Sequence, residues 1–165
     1  MADNGKKGYL ETSYPLSSNQ KALWWIYKLS PNSSAYNVYT TTQINGDLNL
    51  QRWEESWAEI VHKYPILRTT YYMDHAEPIQ TITASSAIHL QVIDSSQIRE
   101  EDRKQQILQT AKHPFNLMNG PLIRVYLFQV SPQVAIQLVV IHEIAGELRS
   151  LGILLRDFFK VYAQK

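Results

Sequence analysis

The sequence predicts a layered α+β domain in which helices pack against a mixed β-sheet. Three observations predict it. Segments of helical and of strand periodicity alternate along the chain. One of them is strongly amphipathic, with Trp53, Trp57, Ile60, Val61 and Tyr64 at i, i+4, i+7, i+8 and i+11. Residues 134–141 form a nearly continuous apolar run, as expected of a central strand. At 165 residues, 44% hydrophobic and 19% charged, the chain has material for one core and does not read as disordered.

Taken in order, Ser17 is placed to cap a first helix, with Gln20 three residues on completing a capping box. Leu23, Trp24, Ile26 and Tyr27 recur at helical spacing, and the helix should end before Pro31. Residues 38–44 are rich in Val, Tyr and Thr and suit a strand. Asn45-Gly46-Asp47 is a turn signal. The amphipathic helix follows, and Pro65 stops it. Residues 66–73, 78–82 and 88–93 read as strands, and residues 100–113 as a surface helix with Ile107, Leu108 and Ala111 among charged neighbours. Asn119-Gly120-Pro121 turns into a strand at 122–130, and Ser131-Pro132-Gln133 connects it to the strand at 134–141. Residues 151–162 form a last amphipathic helix. Trp24, Trp53 and Trp57 fall on apolar faces and are expected in the core rather than on a stacking platform.

Several function classes are excluded early. The formal charge is 16 − 15 = +1 and the isoelectric point is near 7.9, so neither nucleic acid nor an anionic membrane is the expected partner. Lys6-Lys7 and Arg103-Lys104 are short basic pairs that read as solvated. Cysteine is absent, which removes a disulfide scaffold, a thiolate nucleophile and a cysteine zinc site, and fits a cytoplasmic protein. Residues 1–8 are polar and no apolar signal core follows; residues 1–13 read as a flexible leader before a domain at 14–165. The apolar run at 134–141 is too short to span a bilayer.

Of the five histidines, no pair has the HExxH spacing of a zinc site, and there is no glycine-rich phosphate loop and no GxSxG elbow. His62 and His113 fall near helix ends and His75 and His89 in or beside short strands, where a solvated or structural reading suffices. His142 differs. It ends the most apolar strand and opens the loop His142-Glu143-Ile144-Ala145-Gly146-Glu147. A polar cluster at the end of a buried strand is a common place for a site.

Four segments in order resemble one family. Ser17 to Trp24 (SSNQKALW) resembles the SxxQxxLW motif of nonribosomal peptide synthetase condensation domains. His62 to Tyr71 (HKYPILRTTY) resembles their RHExLRTxF motif, and Phe115 to Arg124 (FNLMNGPLIR) their FDLxxGPLxR segment. Ser150 to Asp157 (SLGILLRD) resembles the helix after their active-site loop. The resemblance implies one chloramphenicol acetyltransferase-like lobe, the N-terminal of the two that form a full domain of on the order of 450 residues with its site between the lobes.

The family loop is HHxxxDG, with catalysis assigned to its second His. Here His142 takes the first position and Glu143 the second, while Glu147 replaces the Asp and Leu148 the Gly. In the family, an amine or hydroxyl on one carrier-bound group attacks a thioester on another, and a near-neutral imidazole orients or deprotonates it. A carboxylate has an unperturbed pKa of about 4.3 and is a weaker base. It also adds negative charge where an oxyanion develops. The family Asp pairs with an arginine, so Arg68 and Glu147 are the expected structural pair, and Leu148 is expected to obstruct the loop.

The reading is a truncated, non-catalytic condensation-like domain of a polyketide or nonribosomal peptide assembly line. It would act as an interaction, docking or dimerisation module. Expected partners are a second copy, a neighbouring synthase domain or a carrier protein whose phosphopantetheine arm it could contact, with no metal or cofactor of its own. The face near His142 and Arg68 is expected to expose apolar surface. The alternative is half of a split acyltransferase acting on phosphopantetheine-bound thioesters, with His142 as the base in a shifted register. It requires an imidazole facing an open cleft.

Overall fold

The structure, a computed structural model, describes residues 13–84 and 88–165. The order is β1 (Ser13–Pro15), α1 (Ser18–Leu29), β2 (Asn37–Asn45), α2 (Leu50–Lys63), a 3-10 turn (Pro65–Arg68), β3 (Thr69–Asp74), β4 (Glu77–Ile82), β5 (His89–Asp94), α3 (Glu100–Ala111), β6 (Ile123–Ser131), β7 (Val134–His142) and α4 (Leu148–Gln164). The leader read at residues 1–13 lies, apart from Ser13, outside the described residues.

Local chemistry sets the helix ends. Ser17 Oγ accepts from the Gln20 amide at 3.2 Å, and Gln20 Oε1 accepts from the Ser17 amide at 2.9 Å, so both members of the capping box are present. Asn49 caps α2 through the Arg52 amide at 2.9 Å. Pro65 ends α2 and opens the 3-10 turn. That turn corrects one expectation: β3 begins at Thr69 rather than at residue 66, because a proline at the first position suits a tight helical turn. Gly46 adopts φ +104° in the turn after β2, a region that disfavours side chains.

The strands divide between two sheets. The expected mixed sheet has the order β2-β7-β6-β5, and a smaller antiparallel one has the order β1-β4-β3. Among the described strands only β5 and β6 pair in parallel, joined by the crossover through α3. β3 lies outside the larger sheet, and its Tyr71 amide donates to the Leu117 carbonyl, 2.9 Å away, in the segment before β6. β1 is three residues long and ends in proline, too little for periodicity to reveal.

Both faces of the central strands β6 and β7 are buried, which is why residues 134–141 are apolar except for Gln137. Tyr126, Phe128, Leu138 and Val140 point toward Trp24 of α1 and Ile107 of α3. Ile123, Val125, Leu127, Val139 and Ile141 point toward Trp53 and Trp57 of α2 and Phe158 of α4. All three tryptophans are fully buried. Gln137 is the polar exception on the second face: its Oε1 accepts from Trp53 Nε1 at 2.6 Å and from Trp57 Nε1 at 2.9 Å. Asp157 joins α4 to α2 by accepting from Lys63 Nζ and Tyr64 Oη, each at 2.6 Å. Those two donors, with Arg156, hold its carboxyl far below the usual carboxylate range.

Candidate functional site

The loop that joins β7 to α4 carries the candidate site. His142 ends β7 and is 5% exposed. Its amide donates to the Leu122 carbonyl at 3.2 Å, and its Nδ1 accepts from the Ile144 amide at 3.1 Å. The Phe115 ring meets the imidazole edge-on at 6.1 Å between centroids, and Tyr36 lies at 6.4 Å. Burial pushes the His142 pKa from 6.5 down to about 4, so the ring is neutral at neutral pH. With Nδ1 accepting, the proton sits on Nε2.

Glu143 is half-buried beside an open polar cleft and is held by its amide to the Tyr36 carbonyl at 2.9 Å. The cleft is shared with Asn19 and Gln20 from α1 and with Glu147 and Ser150 from the loop and α4. Gln20 is also structural, since its amide donates to Tyr71 Oη at 3.3 Å and exchanges hydrogen bonds with the Gln80 amide at 3.2 Å. The motif glutamine therefore ties the cleft wall to β3 and β4.

Two expectations at the site are corrected. Arg68 and Glu147 do not pair: among the described residues no ion pair within 4.0 Å joins them. The Arg68 guanidinium turns instead to the Thr83 carbonyl beyond β4, while Glu147 sits exposed at the N-cap of α4. Leu148 does not obstruct the loop. It is the first residue of α4 and is 65% exposed, and the only non-glycine residue with positive φ among those described is His75. A leucine is tolerated there because a helix's first position asks for no left-handed backbone.

Gly146 carries the constraint instead, and spacing alone did not reveal it. A Cβ on Gly146 would lie 2.7 Å from Ser150 Oγ and 2.8 Å from Ser150 Cβ, so any larger residue there must displace Ser150 or the loop. Beside it lies a small apolar slot of about 130 Å³, walled by Ile66 and Leu67, by Ile141 and Ala145, and by Ile153 and Leu154. The surface near His142 and Arg68 is thus mixed rather than apolar: two glutamates border the cleft, while Leu148 and Ile153 stand exposed on α4.

The remaining histidines are placed apart. His62 lies near the C-terminal end of α2, and His75 is exposed in the turn between β3 and β4. His89 packs edge-on against Tyr126 at 5.4 Å, and His113 follows α3. Among the described residues no group of three or more His, Asp or Glu is placed to hold a metal ion. Nor is any helix among them long and apolar enough to cross a membrane.

Two sheets and four helices among the described residues, with a histidine-led loop between the central strand and the last helix, define an α+β lobe of the chloramphenicol acetyltransferase type. The chain belongs to the condensation domain family, whose model matches residues 10–165. It is 34% identical over 152 residues to one of the proteins of linear gramicidin synthase from Brevibacillus parabrevis, covering 90% of this chain and 3% of that protein. It is 30% identical over 146 residues to bacitracin synthase 2 of Bacillus licheniformis, covering 88% and 5%. The chain therefore spans a small part of the curated relatives it matches. Among solved structures it is similar to holo-AB3403, a four-domain nonribosomal peptide synthetase, with TM-score 0.85 and 27% identity over 95% of this chain and 12% of that one. It shares its fold with the starter condensation domain of rhizomide synthetase RzmA, with TM-score 0.84 and 24% identity over 92% and 37%.

Proposed function

We propose that this lobe is a non-catalytic condensation-type module that recruits or positions partners in a nonribosomal peptide or mixed polyketide assembly line in the cytoplasm. The observation that carries the reading is the pair His142–Glu143. By the resemblance Glu143 takes the position of the family's working imidazole, and in support the loop's one imidazole, His142, is buried with Nδ1 engaged by the Ile144 amide. A split acyltransferase using His142 in a shifted register would need that ring in the open cleft, and its packing argues against this reading. The partners are a carrier protein, a neighbouring synthase domain or a second copy, approaching along the cleft beside α1 and α4.

Grafting residues 142–148 in place of the HHxxxDG loop of an active condensation domain tests the chemistry. The expected result is a fall in thioester condensation of about a hundredfold or more, the usual worth of a positioned base. Activity within a few-fold of the parent overturns the non-catalytic reading. A titration of this chain with acylated carrier protein tests recruitment: saturable binding supports it, and its absence together with self-association would leave a dimerising spacer.

A further inference from the structure

Away from the cleft, a groove of about 530 Å³ opens between α3 and the β5–β6 edge of the larger sheet. His89 and Gln91 of β5, Arg124 and Tyr126 of β6, and Gln106 and His113 from α3 and beyond line it. His89 and Arg124 are register partners across the parallel pair, as are Gln91 and Tyr126, so these four side chains share one face.

Arg124 is fixed in place. Its Nη1 donates to the His113 carbonyl at 2.8 Å and its Nη2 to the Pro114 carbonyl at 2.6 Å. The guanidinium lies 3.9 Å from the centroid of the Phe115 ring. Two of its five N–H groups are thereby used, the Tyr126 hydroxyl beside the guanidinium is a further hydrogen-bond partner, and the remaining N–H groups are left for a ligand. No carboxylate lines the groove, and no ion pair of Arg124 is formed among the described residues. The side chain is half-buried, and burial lowers its pKa from the ordinary arginine value, with the Tyr126 hydroxyl opposing the shift. The amide oxygen of Gln106 is buried in the same wall with no partner. An amide can present either its oxygen or its NH2 group by turning over.

We propose that this groove is a binding site for a small oxyanion, a carboxylate or a phosphate, held by the remaining N–H groups of the Arg124 guanidinium together with the Tyr126 hydroxyl, with the Gln106 amide and the His89 and His113 imidazoles around it. A planar fork with fixed orientation recognises two oxygens of such a group at once. The site is separate from the cleft, since no residue that lines the groove also lines the cleft.

The test is an NMR titration of the chain at constant ionic strength, with inorganic phosphate in one arm and acetate in the other, reading the backbone amides of His89, Gln106 and Tyr126. The expected result is a saturable shift confined to this groove. The stronger arm identifies the ligand as a phosphate or a carboxylate. Arg124→Gln is expected to weaken binding about tenfold or more, the worth of a charge-assisted pair. Because that variant also loses the two carbonyl contacts, Gln91→Glu is the second. It leaves Arg124 held and supplies an internal carboxylate, and it is expected to abolish the shifts in a folded protein. Shifts that fail to saturate by roughly 100 mM, far above the millimolar range of even a weak site, overturn the proposal. So do shifts that persist unchanged in both variants.

Discussion

His142 and Ile144 are joined across the first turn of the motif loop by a 3.1 Å hydrogen bond in which the Ile144 amide donates to the imidazole Nδ1. This bond favours a neutral histidine, since a protonated ring has no lone pair to accept it. The first motif histidine therefore acts as a structural wedge between the end of β7 and the ring of Phe115.

Stability should depend on pH through this residue. The ordinary value of 6.5 applies to the unfolded chain, and the folded value is about 4. Above 6.5 both states are neutral and the stabilisation is fully present. As pH falls through the interval, the unfolded chain takes up a proton that the folded chain refuses, and about 3 kcal/mol is lost by the lower end. Asp157 works in a lower window, because its depressed pKa costs stability only as pH falls below its ordinary 3.8. Urea unfolding from about pH 7 down to pH 4 should show the loss, and His142→Leu should remove this part of the slope. Parallel curves for the two proteins would contradict the assignment.

Gln137→Leu should destabilise the lobe by about 3 kcal/mol, because it leaves two buried indole N–H groups without an acceptor. Chemical denaturation gives the value directly. A loss below about 0.5 kcal/mol would mean that the indoles find other partners.

Gly146→Ala should cost about 1–3 kcal/mol, the usual range for overpacking, since its Cβ meets Ser150 at under 3 Å. Ser150→Gly removes both atoms it would strike. In the double variant the penalty for Gly146→Ala should therefore shrink, and a double-mutant cycle of unfolding energies measures the coupling. Strict additivity would show that the loop relaxes away from α4.

Self-association along the cleft face should appear in light scattering with size-exclusion chromatography, from micromolar to hundreds of micromolar. Ile153→Glu, on the exposed rim of the apolar slot, should weaken it by about tenfold or more. A mass that stays monomeric across the range shifts the interaction role to a hetero-partner.

Much of the lobe was legible in the chain. The Ser17–Gln20 box, the stop at Pro65 and the tryptophan stripe of α2 are local signals, and the structure places each where spacing predicts. β1 was not legible, because three residues carry no period. The 3-10 turn was read as strand because Ile66 and Leu67 are apolar in either state, and only the proline before them distinguishes the two. At the site, His142 ends β7 and Glu143 borders the open cleft. The Arg68–Glu147 pair did not form, since pairing depends on where two loops point and spacing does not encode direction.

The sequence by itself determined most of the element types, the tryptophan core and the carboxylate next to His142 in the loop after β7, because periodicity, caps and residue identity are local properties. Only the tertiary structure decided that the strands divide into two sheets, that His142 is sealed and neutral, that Gly146 rather than Leu148 limits the loop, and that Arg124 faces a groove without a carboxylate partner. Each of these depends on burial and on the direction of side chains from segments far apart in the chain, and those are set when the two faces of the larger sheet close.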